Sequence, residues 1–210
     1  AQEVEARVDL VVAALRDAGA HITEDAKPDF NADHSNEVYQ RLLQATMASR
    51  MPLENYESLK AYVQNELDPE DNSTTAQTLR AQVSSFKEWS QANEMRHQLR
   101  WRWHEYFQQY DILITPIMAT PAFKHDQRPF AERTLQVDNQ ERPYFEHVFW
   151  AGLTGVAYLP STVIPTGLND LGLPIGVQIV GPQYGDLITI GVAQKLESMG
   201  FVFEAPAAYR

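Results

Sequence analysis

Apolar positions at helical spacing recur along the first half of the chain, and short apolar runs punctuated by Gly and Pro dominate the second. Val4, Val8, Val11, Val12 and Leu15 fall on one stripe and predict an amphipathic helix that ends at Asp17-Ala18-Gly19. Ala20-His21-Ile22-Thr23 then predicts a short strand before the break at Pro28. From Ser35 to Arg50 a second helix is expected with Val38, Leu42, Leu43 and Met47 inward, and Pro52 interrupts it. A shorter helix over Leu53 to Asn65 carries Tyr56, Leu59 and Val63 on one side. After the polar turn 67–73, one long helix is predicted from Thr75 to Tyr110, with a capping box from Thr74 and Gln77 and a bend near Ser90–Asn93. Its stripe comprises Leu79, Val83, Phe86, Met95, Leu99, Trp103 and Tyr106.

The second half reads differently. Asp111 to Pro116 is a strand of the buried type, and 119–143 shows no clear periodicity and carries Pro121, Pro129 and Pro143. An irregular stretch of that length inside a compact domain is often functional. Tyr144 to Trp150 suits a helix. Thr162-Val163-Ile164 and Val177-Gln178-Ile179-Val180 are apolar strand runs joined by a turn-rich segment with Gly167, Asn169-Asp170, Gly172 and Pro174, so a buried hairpin-like pairing is expected. A last helix starts at Gly185-Asp186, faces the core with Ile188, Val192, Leu196 and Met199, and ends at Gly200. Phe201-Val202-Phe203 predicts a terminal strand before Ala205-Pro206.

Composition narrows the function classes. The 210 residues are 44% hydrophobic and 21% charged, which suits an ordinary globular chain. With no cysteine, disulfides, thiol catalysis and thiolate metal sites are excluded, and a reducing compartment such as the cytoplasm is expected. A formal net charge of −11 argues against a nucleic-acid partner or an anionic membrane surface. That same charge makes the Trp89, Trp101, Trp103, Tyr106 and Phe107 set a packing surface rather than a platform for bases. The chain opens inside a helical pattern without an initiator Met, which fits a fragment of a longer polypeptide.

Candidate chemistry is sparse. Ser84-Ser85 reads as mid-helical with no glycine beside it, and Ser161 heads a strand, so neither has the converging N–H groups a nucleophile needs. His97 and His104 share a helix face without metal-ligand spacing, because position 108 is Gln108. His125 and His147 flank the irregular stretch and are candidates to line a pocket. The glycines at 167, 172 and 176 match no dinucleotide or P-loop pattern. No catalytic residue, metal ligand or cofactor site is assigned.

Leu153-Thr154-Gly155, Leu159-Pro160, Ile164-Pro165-x-Gly167 and Gly172-Leu173-Pro174-Ile175-Gly176-Val177-Gln178-Ile179-Val180-Gly181 together resemble the C-terminal signature of the amidase signature family of serine hydrolases. Asp111-Ile112-Leu113-Ile114-Thr115-Pro116 resembles that family's aspartate, apolar triplet, Thr/Ser-Pro strand. The resemblance implies an α/β fold, part of a mixed central β-sheet covered by helices with a helix-rich insertion. It divides the chain into a helix–strand unit (1–30), a helical region (31–110) and a sheet-completing region with the final helix (111–210). It also implies amide hydrolysis by a Ser–cis-Ser–Lys triad whose motif segments match no position here. This chain alone is therefore expected to be inactive, and the missing N-terminal half of the enzyme is its expected partner. What it is expected to supply is a pocket wall for a small amide substrate, from Thr115, Ile117, Phe149, Trp150 and Leu153. A homodimer is a further expectation; membrane association is not. Two rival readings are a non-catalytic helical interaction module and a fragment of a glutamine-dependent tRNA amidotransferase subunit.

Overall fold

A computed structural model describes residues 1–205, and helices form in each region where they are expected, except that Tyr144–Val148 is a 3-10 turn and the helix there begins only at Phe149. Helix α1 (Gln2–Asp17) has Glu3 and Glu5 in its first turn and Arg16 in its last, complementing the helix dipole. Gly19 follows at φ +91° with its N–H on the Arg16 carbonyl. Ala20 to Thr23 is not a strand. The Ala20 N–H turns back to the Leu15 carbonyl, and among the described residues no strand runs beside the segment.

Helix α2 (Ala32–Ala48) starts three residues before the expected Ser35 because the Asn31 side chain caps it, accepting the His34 N–H at 3.0 Å. Met47 is exposed rather than inward; Gln44 and Ala48 take the buried positions. Helix α3 (Leu53–Asn65) lies on the surface with Tyr56, Leu59 and Val63 half-buried.

The single long helix expected from Thr75 to Tyr110 is two helices, α4 (Thr74–Gln82) and α5 (Phe86–Tyr106). The break falls at 83–85 and not at 90–93. Ser85 is the N-cap of α5 in a reciprocal box: its hydroxyl accepts the Glu88 N–H at 3.3 Å while the Glu88 carboxylate accepts the Ser85 N–H at 2.7 Å. Ser85, whose side chain bonds a backbone N–H, ends the apolar stripe as one helix and starts the next. At the start of α4 the cap is Ser73, which accepts the Ala76 N–H, rather than Thr74. Phe86, expected inward, is 81% exposed as a result of the new helix phase.

Trp103 centres the core of this helical region. It is fully buried, with the rings of Phe30, Tyr106 and Phe107 at 5.6–5.8 Å, and Val38, Leu42, Ala92 and Leu99 close the cluster. Trp101 is exposed, edge-on to His104. Burial also pushes the Tyr106 phenol up to about 12.

Beyond it come β1 (Leu113–Pro116), a small hairpin of β2 (Thr134–Val137) and β3 (Gln140–Pro143), a 3-10 turn over Tyr144–Val148, and α6 (Phe149–Gly155). The irregular 119–143 stretch thus contains a hairpin, turned at Asp138 with φ +54°. Strands β4 (Ser161–Leu168) and β5 (Pro174–Val180) pair antiparallel as expected, and β1 adds to the other side of β5, giving the order β1-β5-β4. All pairings among the described residues are antiparallel, so this part of the sheet is not itself mixed.

Strand alternation decides what each face meets. Val177 and Ile179 of β5 and Ile164 of β4 point to one face, where Val11 and Leu15 of α1 and Leu196 of α7 (Asp186–Ser198) cover them completely. In α7 the buried partner is Thr189 and not Ile188, which is 44% exposed, as is Met199 at 40%. The hydroxyls of Thr162 and Thr189 lie 2.9 Å apart, with Thr189 donating to the Asp186 carbonyl, and this polar contact fixes the rotation of the helix. Phe201 to Phe203 does not form a strand; Phe203 is exposed.

Candidate pocket wall and family

The opposite face of the sheet carries Thr115 and Gln178, which are direct cross-strand partners. Both are buried. Gln178 Nε2 donates to Thr115 Oγ1 at 3.0 Å and lies 3.4 Å from the Pro116 carbonyl, to which Thr115 Oγ1 itself donates at 3.0 Å. A polar residue inside the apolar run 177–180 must find such a partner, because an unpaired buried amide is costly. That rule makes Gln178 detectable from the sequence, although it is absent from the expected pocket wall. The pair fixes the end of β1, from which the chain leaves through half-buried Ile117 and Met118.

Phe149 and Trp150 open α6 with their rings 5.3 Å apart and nearly perpendicular, both half-buried. Leu153, one turn on, packs against the Trp103 core. Helix α6 also approaches α2 closely at Gly152. A Cβ there would lie 2.5 Å from Tyr39 Cδ1, so the phenol ring lies directly against the glycine. Before α6, His147 is buried with Nδ1 on the Tyr144 carbonyl, which requires the proton on that nitrogen, and its ring packs on Tyr144 and Phe123.

The larger of two described cavities, about 630 Å³, lies beside this aromatic group. Phe123, His125, Arg128, Leu135 and Tyr144 line it from the 119–143 stretch and the turn that follows, opposite Leu171 and Leu173 of the β4–β5 turn. Asp126, on its rim, is pulled down to about 2 by hydrogen bonds from the Arg128 side chain and backbone. None of Thr115, Ile117, Phe149, Trp150 and Leu153 lines either described cavity. They form two groups, the β1 end and the start of α6, with no mutual hydrogen bond or ring contact among the described residues.

No nucleophile–base pair stands out among the described side chains. Ser85 is occupied by Glu88, and Ser161 lies in β4. No three His, Cys, Asp or Glu side chains of the described residues converge as metal ligands.

Comparison with known proteins decides the family. The amidase family model matches residues 1–189, nine-tenths of the chain. The chain belongs to the amidase family. Its fold superposes on a bacterial aryl acylamidase of the amidase signature family with a TM-score of 0.64 at 20% identity, covering 96% of this chain and 41% of that one. Indoleacetamide hydrolase of Bradyrhizobium diazoefficiens is 27% identical over 203 residues, 90% of this chain and 34% of the relative. One subunit of the glutamyl-tRNA(Gln) amidotransferase of Deinococcus deserti is 30% identical over 129 residues, 58% of this chain and 24% of the relative. The chain thus spans roughly a quarter to a third of these curated relatives. No helix of the described residues is long and apolar enough to cross a membrane.

Proposed function

We propose that these 210 residues are the scaffold and pocket-wall part of an amidase that hydrolyses a small carboxylic amide to an acid and an amine or ammonia. The Ser–cis-Ser–Lys residues of that serine hydrolase belong to a part of the enzyme outside this chain. The observation that carries the reading is the apolar surface the sheet region leaves uncovered. Leu187, Ile188 and Ile190 of α7, Val163 and Leu168 of the edge strand β4, and Leu171 of the turn are each 44% or more exposed. Apolar side chains exposed on α7, on the open edge strand β4 and in the turn call for a covering element, and relatives about two and a half times as long have the chain to supply it. On this reading the three parts 1–30, 31–110 and 111–210 are one catalytic domain's C-terminal portion.

Thr115, held by Gln178, together with Ile117, Phe149, Trp150 and Leu153, are the proposed substrate-facing groups. The set is mostly apolar with one hydroxyl, the composition of a small-molecule pocket wall. A cytoplasmic location fits the cysteine-free sequence, and a homodimer is part of the same proposal. The test uses the longer enzyme. Thr115→Val and Trp150→Ala are expected to lower kcat/KM for an amide substrate by about tenfold to a hundredfold through misplacement of the substrate; Thr115→Val also lowers the melting temperature, because Gln178 Nε2 loses its acceptor. Unaltered kcat/KM in both variants would remove these residues from the pocket.

The similarity to the amidotransferase supports one second reading, a part of a glutamine-dependent amidotransferase. Co-purification of the full protein with partner subunits would favour it; amide hydrolysis by a purified single polypeptide would count against it.

A further inference from the structure

In a chain with 28 acidic and 17 basic residues, carboxylates are abundant, and several arginines use them. Arg16 pairs with Glu24, Arg102 with Glu105, Arg128 with Asp126 and Arg142 with Glu146. Arg96 and Arg100 do not. One turn apart on α5, both lean on the ring of Tyr158, with guanidinium carbons 4.7 and 5.5 Å from its centroid. Among the described residues neither has a carboxylate within ion-pair distance, and the Nε of each is buried without an acceptor. Two like charges have been brought to one ring with no counter-charge from the chain itself.

The ring is placed at a conformational cost. Tyr158 has φ +59°, a backbone region that favours glycine, although its side chain is 55% exposed and little apolar burial offsets the strain. Its hydroxyl accepts an N–H from Arg96, whose other terminal nitrogen donates to Asn93 Oδ1, so Arg96 is held from two sides. Having accepted that bond, the Tyr158 hydroxyl keeps its own proton to donate outward. The terminal nitrogens of Arg100 have one polar neighbour among the described residues, His97 Nδ1 at 3.5 Å, and no described acceptor takes their other N–H groups.

We infer that Arg96, Arg100 and Tyr158 form a binding site for a small oxyanion, a carboxylate or a phosphate. The Arg100 fork and the Tyr158 O–H supply direct donors, and Arg96, fixed by Asn93, supplies charge and its remaining N–H groups. A guanidinium fork matches two oxygens of either anion in one plane.

The experiment follows the arginine Nε–H resonances of the 15N-labelled protein during titration with sodium phosphate and, separately, sodium acetate, each against sodium chloride at matched ionic strength. Saturable shifts of the Arg96 and Arg100 signals are expected with phosphate, acetate or both, and the stronger of the two identifies the anion geometry. Arg100→Gln is expected to weaken binding by about tenfold or more, the worth of a charge-assisted hydrogen bond, whereas Arg102→Gln leaves it unchanged. Tyr158→Gly supplies a second readout, because glycine relieves the positive φ: binding weakens while the melting temperature holds or rises. Shifts that do not saturate, that equal those in chloride, or that persist in Arg100→Gln overturn the site. So does a Tyr158→Gly variant that melts lower and binds unchanged.

Discussion

The helical region around Trp103 and the sheet region around Ile179 bury similar kinds of apolar residues but differ in how far each is closed. The helical core is surrounded by α2, α5, the segment after α6 and the Phe30 ring. In the sheet region α1 and α7 cover one face, while β4 and β1 are edge strands and α7 turns Leu187 and Ile190 outward. Apolar side chains such as Phe86 and Trp101 are exposed on the helical region too, but its backbone bonds are made within helices. A sheet with open strand edges is built to be joined.

Substitutions at the two centres sharpen that contrast most. Trp103→Ala removes a fully buried indole with three aromatic neighbours and is expected to cost about 3–5 kcal/mol in urea unfolding. Leu196→Ala, equally buried under the sheet, is expected to cost about 2–5 kcal/mol. If the sheet region depends on a covering element, the Leu196 variant falls toward the upper end in this chain and the lower end in the longer enzyme. Equal costs in both settings would break the comparison.

Gly152→Ala comes next. The added methyl meets the Tyr39 ring well inside contact distance, so helix α6 or the ring must move, at about 1–3 kcal/mol. The measurement is again the unfolding midpoint, and Tyr39→Ala combined with Gly152→Ala is expected to recover part of the loss relative to additivity.

Ser85→Ala has the smallest effect, about 1 kcal/mol for a lost N-cap. The Ser85 hydroxyl and N–H hold the Glu88 carboxyl below its ordinary value of 4.5. A depressed carboxyl contributes stability that is present above the unfolded value and is lost as pH falls through the folded one. The wild-type chain should therefore lose stability more steeply than Ser85→Ala below about pH 4.5, a difference visible in parallel thermal melts.

Elements with a strong single period were legible in the sequence. The α1 stripe and the two runs that became β4 and β5 needed only alternation and Gly-Pro punctuation. Places where a local polar bond overrides the period were not. Ser85-x-x-Glu88 splits a continuous apolar stripe into α4 and α5, and the Thr162–Thr189 contact turns α7 so that Ile188 faces out. The hairpin in 119–143 was hidden because its strands are only four residues long and β3 is wholly exposed. Of the candidate site, Thr115 gained a physical partner in Gln178, whose polarity within a buried strand was a readable signal. No contact among the described residues groups Ile117, Phe149, Trp150 and Leu153 into one pocket, and spacing alone could not do so.

The central claim is that this chain frames an amidase site whose reacting groups lie elsewhere. The most direct measurement compares hydrolysis of an aryl amide by the purified 210-residue chain, its mass confirmed at 23.9 kDa, with hydrolysis by the longer enzyme. The account predicts turnover by the longer enzyme and none above the uncatalysed rate by the chain alone, since loss of a serine nucleophile alone costs on the order of a millionfold in kcat. Steady turnover by the 210-residue chain, abolished by substitution of one of its own serines or lysines, would contradict it.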